Sequence, residues 1–132
     1  MDDFSYHRPK DVEEAVSLYQ SADDPMYLSG GMTLIPTMKQ RLAEPTDVID
    51  LSGLSELTGV KSLKDRLSIG AFTRHNDVVN HEAIQAKLPV LSKLAAGIGD
   101  NQVRNRGTIG GSIANSDPAA DYPAAVVGLG AT

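Results

Sequence analysis

Cysteine is missing from this chain of 132 residues. Its absence excludes disulfides, thiolate zinc sites and cysteine-ligated iron-sulfur clusters, so any redox role needs another carrier. Runs of like charge are missing as well. With 12 Lys+Arg against 17 Asp+Glu, the net charge of -5 leaves no basic face and argues against nucleic acid as a main partner. A small anionic ligand stays open, because backbone N–H groups hold one without lysine or arginine. No apolar run approaches the roughly 20 residues of a membrane span. The start, Met1-Asp2-Asp3-Phe4, has neither the positive n-region nor the apolar h-region of a signal peptide, so a soluble cytoplasmic protein is expected. His7, His75 and His81 lie far apart without ligand spacing. They are expected to face solvent or cap helices, and no metal site is expected.

What the chain does have is two glycine pairs, Ser29-Gly30-Gly31-Met32-Thr33 and Thr108-Ile109-Gly110-Gly111-Ser112. Each stands where one segment gives way to another. Paired glycines admit positive φ and let a ligand approach the main chain without meeting a Cβ. Successive N–H groups there can converge on an anion, aided by a helix that starts just afterwards. Two such loops fit a dinucleotide better than a single phosphate. The plainer reading of each pair is a tight turn. Gly97-Ile98-Gly99 follows a helical pattern and lacks a third glycine, so it is read as structural rather than as a dinucleotide fingerprint.

At this length one core is expected, or two small lobes. Phe4-Ser5-Tyr6-His7-Arg8-Pro9 alternates like an edge strand. Asp11 with Glu14 makes a capping-box start, and Val12, Ala15, Val16 and Tyr19 fall on one face of a helix expected over 11–21 and packed on a sheet. Met26-Tyr27-Leu28-Ser29 reads as a strand entering the first glycine pair. Thr33 is placed to N-cap a helix with Pro36 in its first turn, ending near Arg41 or Leu42. Asp47-Val48-Ile49-Asp50-Leu51 is the third strand, so the opening unit reads βαβαβ with a small parallel sheet. Residues 52–57 read as a turn with a short helical segment, and the pattern changes near Leu57. A hairpin is expected from 57–60 and 66–71, then helices from Thr73 or Asn76 through Val79, over 81–87 and over 89–98. The expected lobes are 1–57 and 58–132.

Phe4-Ser5-Tyr6-His7-Arg8-Pro9 and the stretch Leu28-Ser29-Gly30-Gly31-Met32-Thr33-Leu34-Ile35-Pro36, together with Val48-Ile49-Asp50-Leu51, Ile69-Gly70-Ala71 and above all Gln102-Val103-Arg104-Asn105-Arg106-Gly107-Thr108-Ile109-Gly110-Gly111-Ser112-Ile113-Ala114, resemble the medium, FAD-binding subunit of molybdenum hydroxylases of the carbon monoxide dehydrogenase and xanthine dehydrogenase type. The resemblance implies an α+β, two-lobed FAD-binding fold of the vanillyl-alcohol-oxidase/PCMH kind, a small parallel βαβ lobe followed by a mixed α/β lobe. It implies an FAD pyrophosphate between the two glycine loops. Leu28, Ser29, Gly30, Gly31, Met32, Thr33 and Leu34 match the first FAD loop, and Thr108, Ile109, Gly110, Gly111 and Ser112 the second. Asp121 matches an acidic position that hydrogen-bonds the cofactor, and Ile98 a position packing beside it. No catalytic residue is carried over, because substrate oxidation in the family belongs to a molybdopterin large subunit, with electrons passing through clusters on an iron-sulfur small subunit to FAD.

The family pattern continues past Val126-Val127-Gly128-Leu129-Gly130-Ala131-Thr132, so the second lobe is expected to be incomplete, as a fragment or a natural short form. Two alternatives stay open: an assembly module that no longer binds FAD, and a different flavin enzyme such as an alcohol oxidase, for which no catalytic base is visible. Ser29 and Ser112 are not in a nucleophile elbow. Asp117 and Asp121 read as an acid pair or a solvated loop, and Arg104 and Arg106 as phosphate or partner contacts or as surface salt bridges.

Overall fold

The computed structural model describes residues 3–132. It divides into two compact units, Met1–Glu56 and Leu57–Thr132.

In the first unit, strands β1 (Ser5–His7), β2 (Pro25–Leu28) and β3 (Asp47–Asp50) form a parallel sheet in the order β1-β3-β2. Tyr6 and Met26 both stand opposite Val48, so β3 is the central strand. Helix α1 (Val12–Ser21) links β1 to β2, and α2 (Leu34–Lys39) links β2 to β3. Asp11 is extended and accepts the Glu14 N–H at 2.8 Å, while the Glu14 carboxylate takes the Lys10 N–H at 2.9 Å. The Asp11 half is the expected cap and contributes about 1 kcal/mol, whereas Glu14 reaches one residue past the N-cap, to Lys10, instead of closing a capping box on the Asp11 N–H. The core holds Ala15, Met38, Val48, Ile49 and Leu54.

Two details differ from expectation. Of the α1 face only Ala15 is buried; Val12, Val16 and Tyr19 stay exposed, and Tyr19 stacks on Tyr27 with centroids 4.6 Å apart. Helix α2 stops at Lys39, short of Arg41, because Arg41 turns left-handed at φ 56. Beyond β3 a 3-10 turn, Leu51–Gly53, is held by the Asp50 side chain, and a second, Ser55–Leu57, follows.

In the second unit β4 (Val60–Ser62) and β5 (Leu67–Ile69) form an antiparallel hairpin with Lys61 opposite Ser68. The first strand begins at Val60 rather than Leu57. Ahead of it the chain is tied by Gly70 N–H to Gly59 C=O and Phe72 N–H to Leu57 C=O, at 2.8 and 2.7 Å. The approach is so close that a Cβ on Gly70 would stand 2.3 Å from the Leu57 carbonyl oxygen, which is why glycine occupies this position.

Six short helices follow: α3 (His75–Asn80), α4 (Glu82–Lys87), α5 (Pro89–Ala96), α6 (Asn101–Arg104), α7 (Ile109–Asn115) and α8 (Asp121–Gly128). Val78, Ile84, Leu91, Ala95, Ile109 and Tyr122 make their core, with Val60, Leu67, Ile69 and Ile98 packed against it. His81 caps α4 by accepting the Ala83 N–H at 3.2 Å, and His7 pairs with Asp47 at 2.7 Å. His75 departs from the expected exposure or capping role: it is only 4% exposed and lies against Tyr122. Among the described residues no helix is long and apolar enough to cross a membrane, and no cluster of metal-ligating side chains forms.

Candidate functional site

The first glycine pair leaves the sheet at the carboxyl end of β2, where Leu28 stands opposite Asp50. That end of a parallel sheet is where ligands of such folds bind. Gly31 takes φ 75, a conformation that L side chains rarely adopt. Its carbonyl accepts the Ile35 N–H at 3.1 Å, which fixes the turn onto α2. Among the described residues, the N–H groups of Gly30, Gly31, Met32, Thr33 and Leu34 have no hydrogen-bond acceptor. Gly30 is itself buried. A buried N–H group without a partner is rare in folded proteins, so Gly30 marks a place suited to an acceptor, while the N–H groups of the exposed Met32 and Thr33 stand open to solvent or to a ligand.

Thr33 starts α2 but does not cap it, because its backbone is already near-helical at φ -104, ψ -52, and its hydroxyl makes no capping bond. Instead its carbonyl takes the Thr37 hydroxyl at 2.8 Å. At the carboxyl end of the central strand, Asp50 accepts from the Tyr6 hydroxyl at 2.5 Å and from the Ser52 N–H at 2.8 Å. Burial raises the Asp50 carboxyl, but the bonds from Tyr6 and Ser52 and the charge of Arg8 outweigh it and hold it below the usual range.

The second glycine pair is different. Thr108, 2% exposed, caps α7 by accepting the Gly111 N–H at 3.1 Å. The Ile109 N–H goes to Thr73 C=O at 3.0 Å, the Gly110 N–H to Ala71 C=O at 2.8 Å, and the Ser112 N–H to Thr108 C=O at 3.0 Å. All four of these donors are therefore used inside the unit, and the expected converging set of free N–H groups is not formed here. A Cβ on Gly110 would meet the Ala71 carbonyl oxygen at 2.6 Å. The tight-junction reading describes this pair.

What the second unit offers a ligand is side chains. Ser112 is half-buried and Asp121 exposed in the first turn of α8; neither side chain has a hydrogen-bond partner among the described residues. Ile98 packs on the core, and its carbonyl accepts Arg104 Nη1 at 3.0 Å. Arg104 also donates to the Gly99 carbonyl at 3.1 Å, so it braces the 97–99 turn rather than forming a salt bridge. The one cationic-type contact to a carboxylate among the described residues is the His7–Asp47 hydrogen bond at 2.7 Å, an ion pair only when the imidazole is protonated. Asp117 accepts the Ala119 N–H at 2.8 Å and shapes the loop ahead of α8, without pairing with Asp121. Sequence reasoning missed the Tyr6–Asp50–Ser52 network and the burial of His75; nothing in their local sequence signals either.

The fold and these loops define a class. A family described as the FAD binding domain in molybdopterin dehydrogenase matches residues 2–132, and the chain belongs to that family. Among curated relatives, the chain is 47% identical over 122 residues to the carbon monoxide dehydrogenase medium chain of Hydrogenophaga pseudoflava, covering 92% of this chain and 42% of that one. It is 41% identical over 130 residues to the glyceraldehyde dehydrogenase medium chain of Sulfolobus acidocaldarius, covering 98% of this chain and 46% of the relative. The solved carbon monoxide dehydrogenase from Hydrogenophaga pseudoflava superposes with a TM-score of 0.93 at 46% identity, over 96% of this chain and 44% of that one. The chain thus spans less than half the length of the relatives it matches. The two-lobed α+β flavin fold expected from the resemblance is the fold of these structures.

Proposed function

We propose that this chain is the FAD-binding part of the flavin subunit of a molybdenum hydroxylase-type oxidoreductase, acting in the cytoplasm. In this reading it receives electrons from clusters on an iron-sulfur small subunit, while a molybdopterin large subunit oxidises the substrate, and it passes them to an acceptor. The observation that carries the reading is the run of five unpartnered N–H groups from Gly30 to Leu34 around the positive-φ Gly31. Such a run suits a diphosphate.

The residues present fit the cofactor unequally. Loop 28–34 fits through its backbone. On the second unit, residues 108–112 contribute through the Ser112 hydroxyl, Asp121 through its carboxylate and Ile98 through apolar packing, with Thr108, Ile109, Gly110 and Gly111 setting the backbone that carries Ser112. When bound, FAD supplies the electron-carrying ring; the protein's work is to hold it, orient it and limit its contact with water. No residue of the chain is assigned a catalytic step. The units 1–56 and 57–132 are read as the two flavin-binding lobes.

Titration of the folded chain with FAD, with FMN and ADP as comparators, tests this. Saturable binding of FAD and ADP but not FMN is expected, since backbone donors aimed at a diphosphate recognise the adenosine diphosphate half. A second reading, an assembly module without flavin, is favoured by the internal use of every N–H at the start of α7. A demonstrably folded chain that stays colourless and ignores FAD would select it.

A further inference from the structure

Two buried polar atoms in the second unit lack a hydrogen-bond partner among the described residues: His75 Nδ1 and Tyr122 Oη. His75 is 4% exposed and Tyr122 wholly buried, and their rings lie 5.3 Å apart, tilted by 39°. The imidazole's opposite edge, Nε2 and Cδ2, lies over Gly107, where a Cβ would come within 2.5 and 2.8 Å. That edge is therefore fixed by the glycine, and the orphan Nδ1 is held on the other side of the ring. An unpaired buried donor or acceptor costs desolvation with nothing in return, and native proteins meet that cost with a partner or an internal water.

We propose that His75 and Tyr122 form a binding site for one internal water molecule. The Tyr122 hydroxyl donates to the water, and the water donates to His75 Nδ1, leaving the imidazole neutral with its proton on Nε2. Each protein atom thereby gains the one bond it lacks, and the water gains two of the two to four that buried waters make. The bridge joins α3 to the first turn of α8, the turn that also carries Asp121. Burial acts in the same sense: it disfavours the charged imidazole and the charged phenol alike.

The test is water-selective NMR on the intact 132-residue chain, with isotope-labelled histidine and tyrosine. Long-lived cross-peaks from water to the Tyr122 hydroxyl proton and to the His75 ring, together with an Nε2-protonated tautomer, are expected. Loss of these cross-peaks in Tyr122→Phe, with His75 still buried, completes the assignment. A direct Tyr122–His75 hydrogen bond, or the absence of any water cross-peak in the unmodified chain, would overturn it. If Tyr122→Phe fails to fold, the unmodified chain alone decides, because both outcomes are read there.

Discussion

Gly110 rests on Ala71: its N–H donates to the Ala71 carbonyl at 2.8 Å, and an added Cβ would stand 2.6 Å from that same oxygen. Helix α7 is thus seated on the backbone following the hairpin, and the glycine is there for packing. Gly110→Ala is expected to destabilise the second unit by about 1–3 kcal/mol, the range for overpacking a tight site. Urea unfolding followed by circular dichroism measures it, and a midpoint equal to that of the unmodified chain would refute the packing role.

Gly31 makes the opposite kind of demand. At φ 75 any side chain is strained, and a Cβ would also press on Ile35 Cδ1 at 2.6 Å. Gly31→Val should cost the first unit about 1–2 kcal/mol of backbone strain and, on the proposed function, abolish FAD binding by changing the loop's backbone. Unchanged FAD affinity in a folded Gly31→Val chain would remove the loop from the site.

Arg41 sits left-handed at φ 56 just past α2, with its side chain exposed. A glycine there avoids the Cβ penalty and suits the position that follows a helix. Arg41→Gly is therefore expected to stabilise the chain by roughly 0.5–1 kcal/mol. A rise in melting temperature without change in FAD affinity is the expected outcome; a fall would show that the arginine side chain contributes more than its backbone costs.

His75 gives the second unit an acid limit. Burial holds its imidazole below the ordinary value, so the unfolded chain takes up a proton before the folded one does. The resulting stability is present above the unfolded value of about 6.5 and is lost as pH falls below it. The urea midpoint should drop as pH falls through the unfolded value of about 6.5, and His75→Gln should flatten that drop. An equally steep profile in the variant would assign the acid sensitivity to other groups.

Much of the fold was legible because its signals are local. The capping pair Asp11 and Glu14, the apolar run Val48-Ile49 and the turn residues around Gly30 each act within a few positions, and the parallel sheet followed from their order. The helices beyond Ile98 were not read as such. They are short, rich in glycine, asparagine and alanine, and α7 begins at a glycine pair that by local pattern reads as a loop. Their starts depend on caps such as Asp100 and Thr108, which the apolar period does not reveal.

The sequence by itself determined the family, the βαβαβ opening and the position of both glycine pairs, since these rest on residue identity and near-neighbour spacing. Only the tertiary structure decided what each pair does. Whether an N–H is free depends on acceptors far away in the chain, and the Ala71 and Thr73 carbonyls reach Gly110 and Ile109 only once the second unit has folded. The same distant packing buries His75 against Tyr122. The two glycine pairs share their local chemistry, and long-range hydrogen bonding engages the N–H groups of the second pair while those of the first have no acceptor among the described residues.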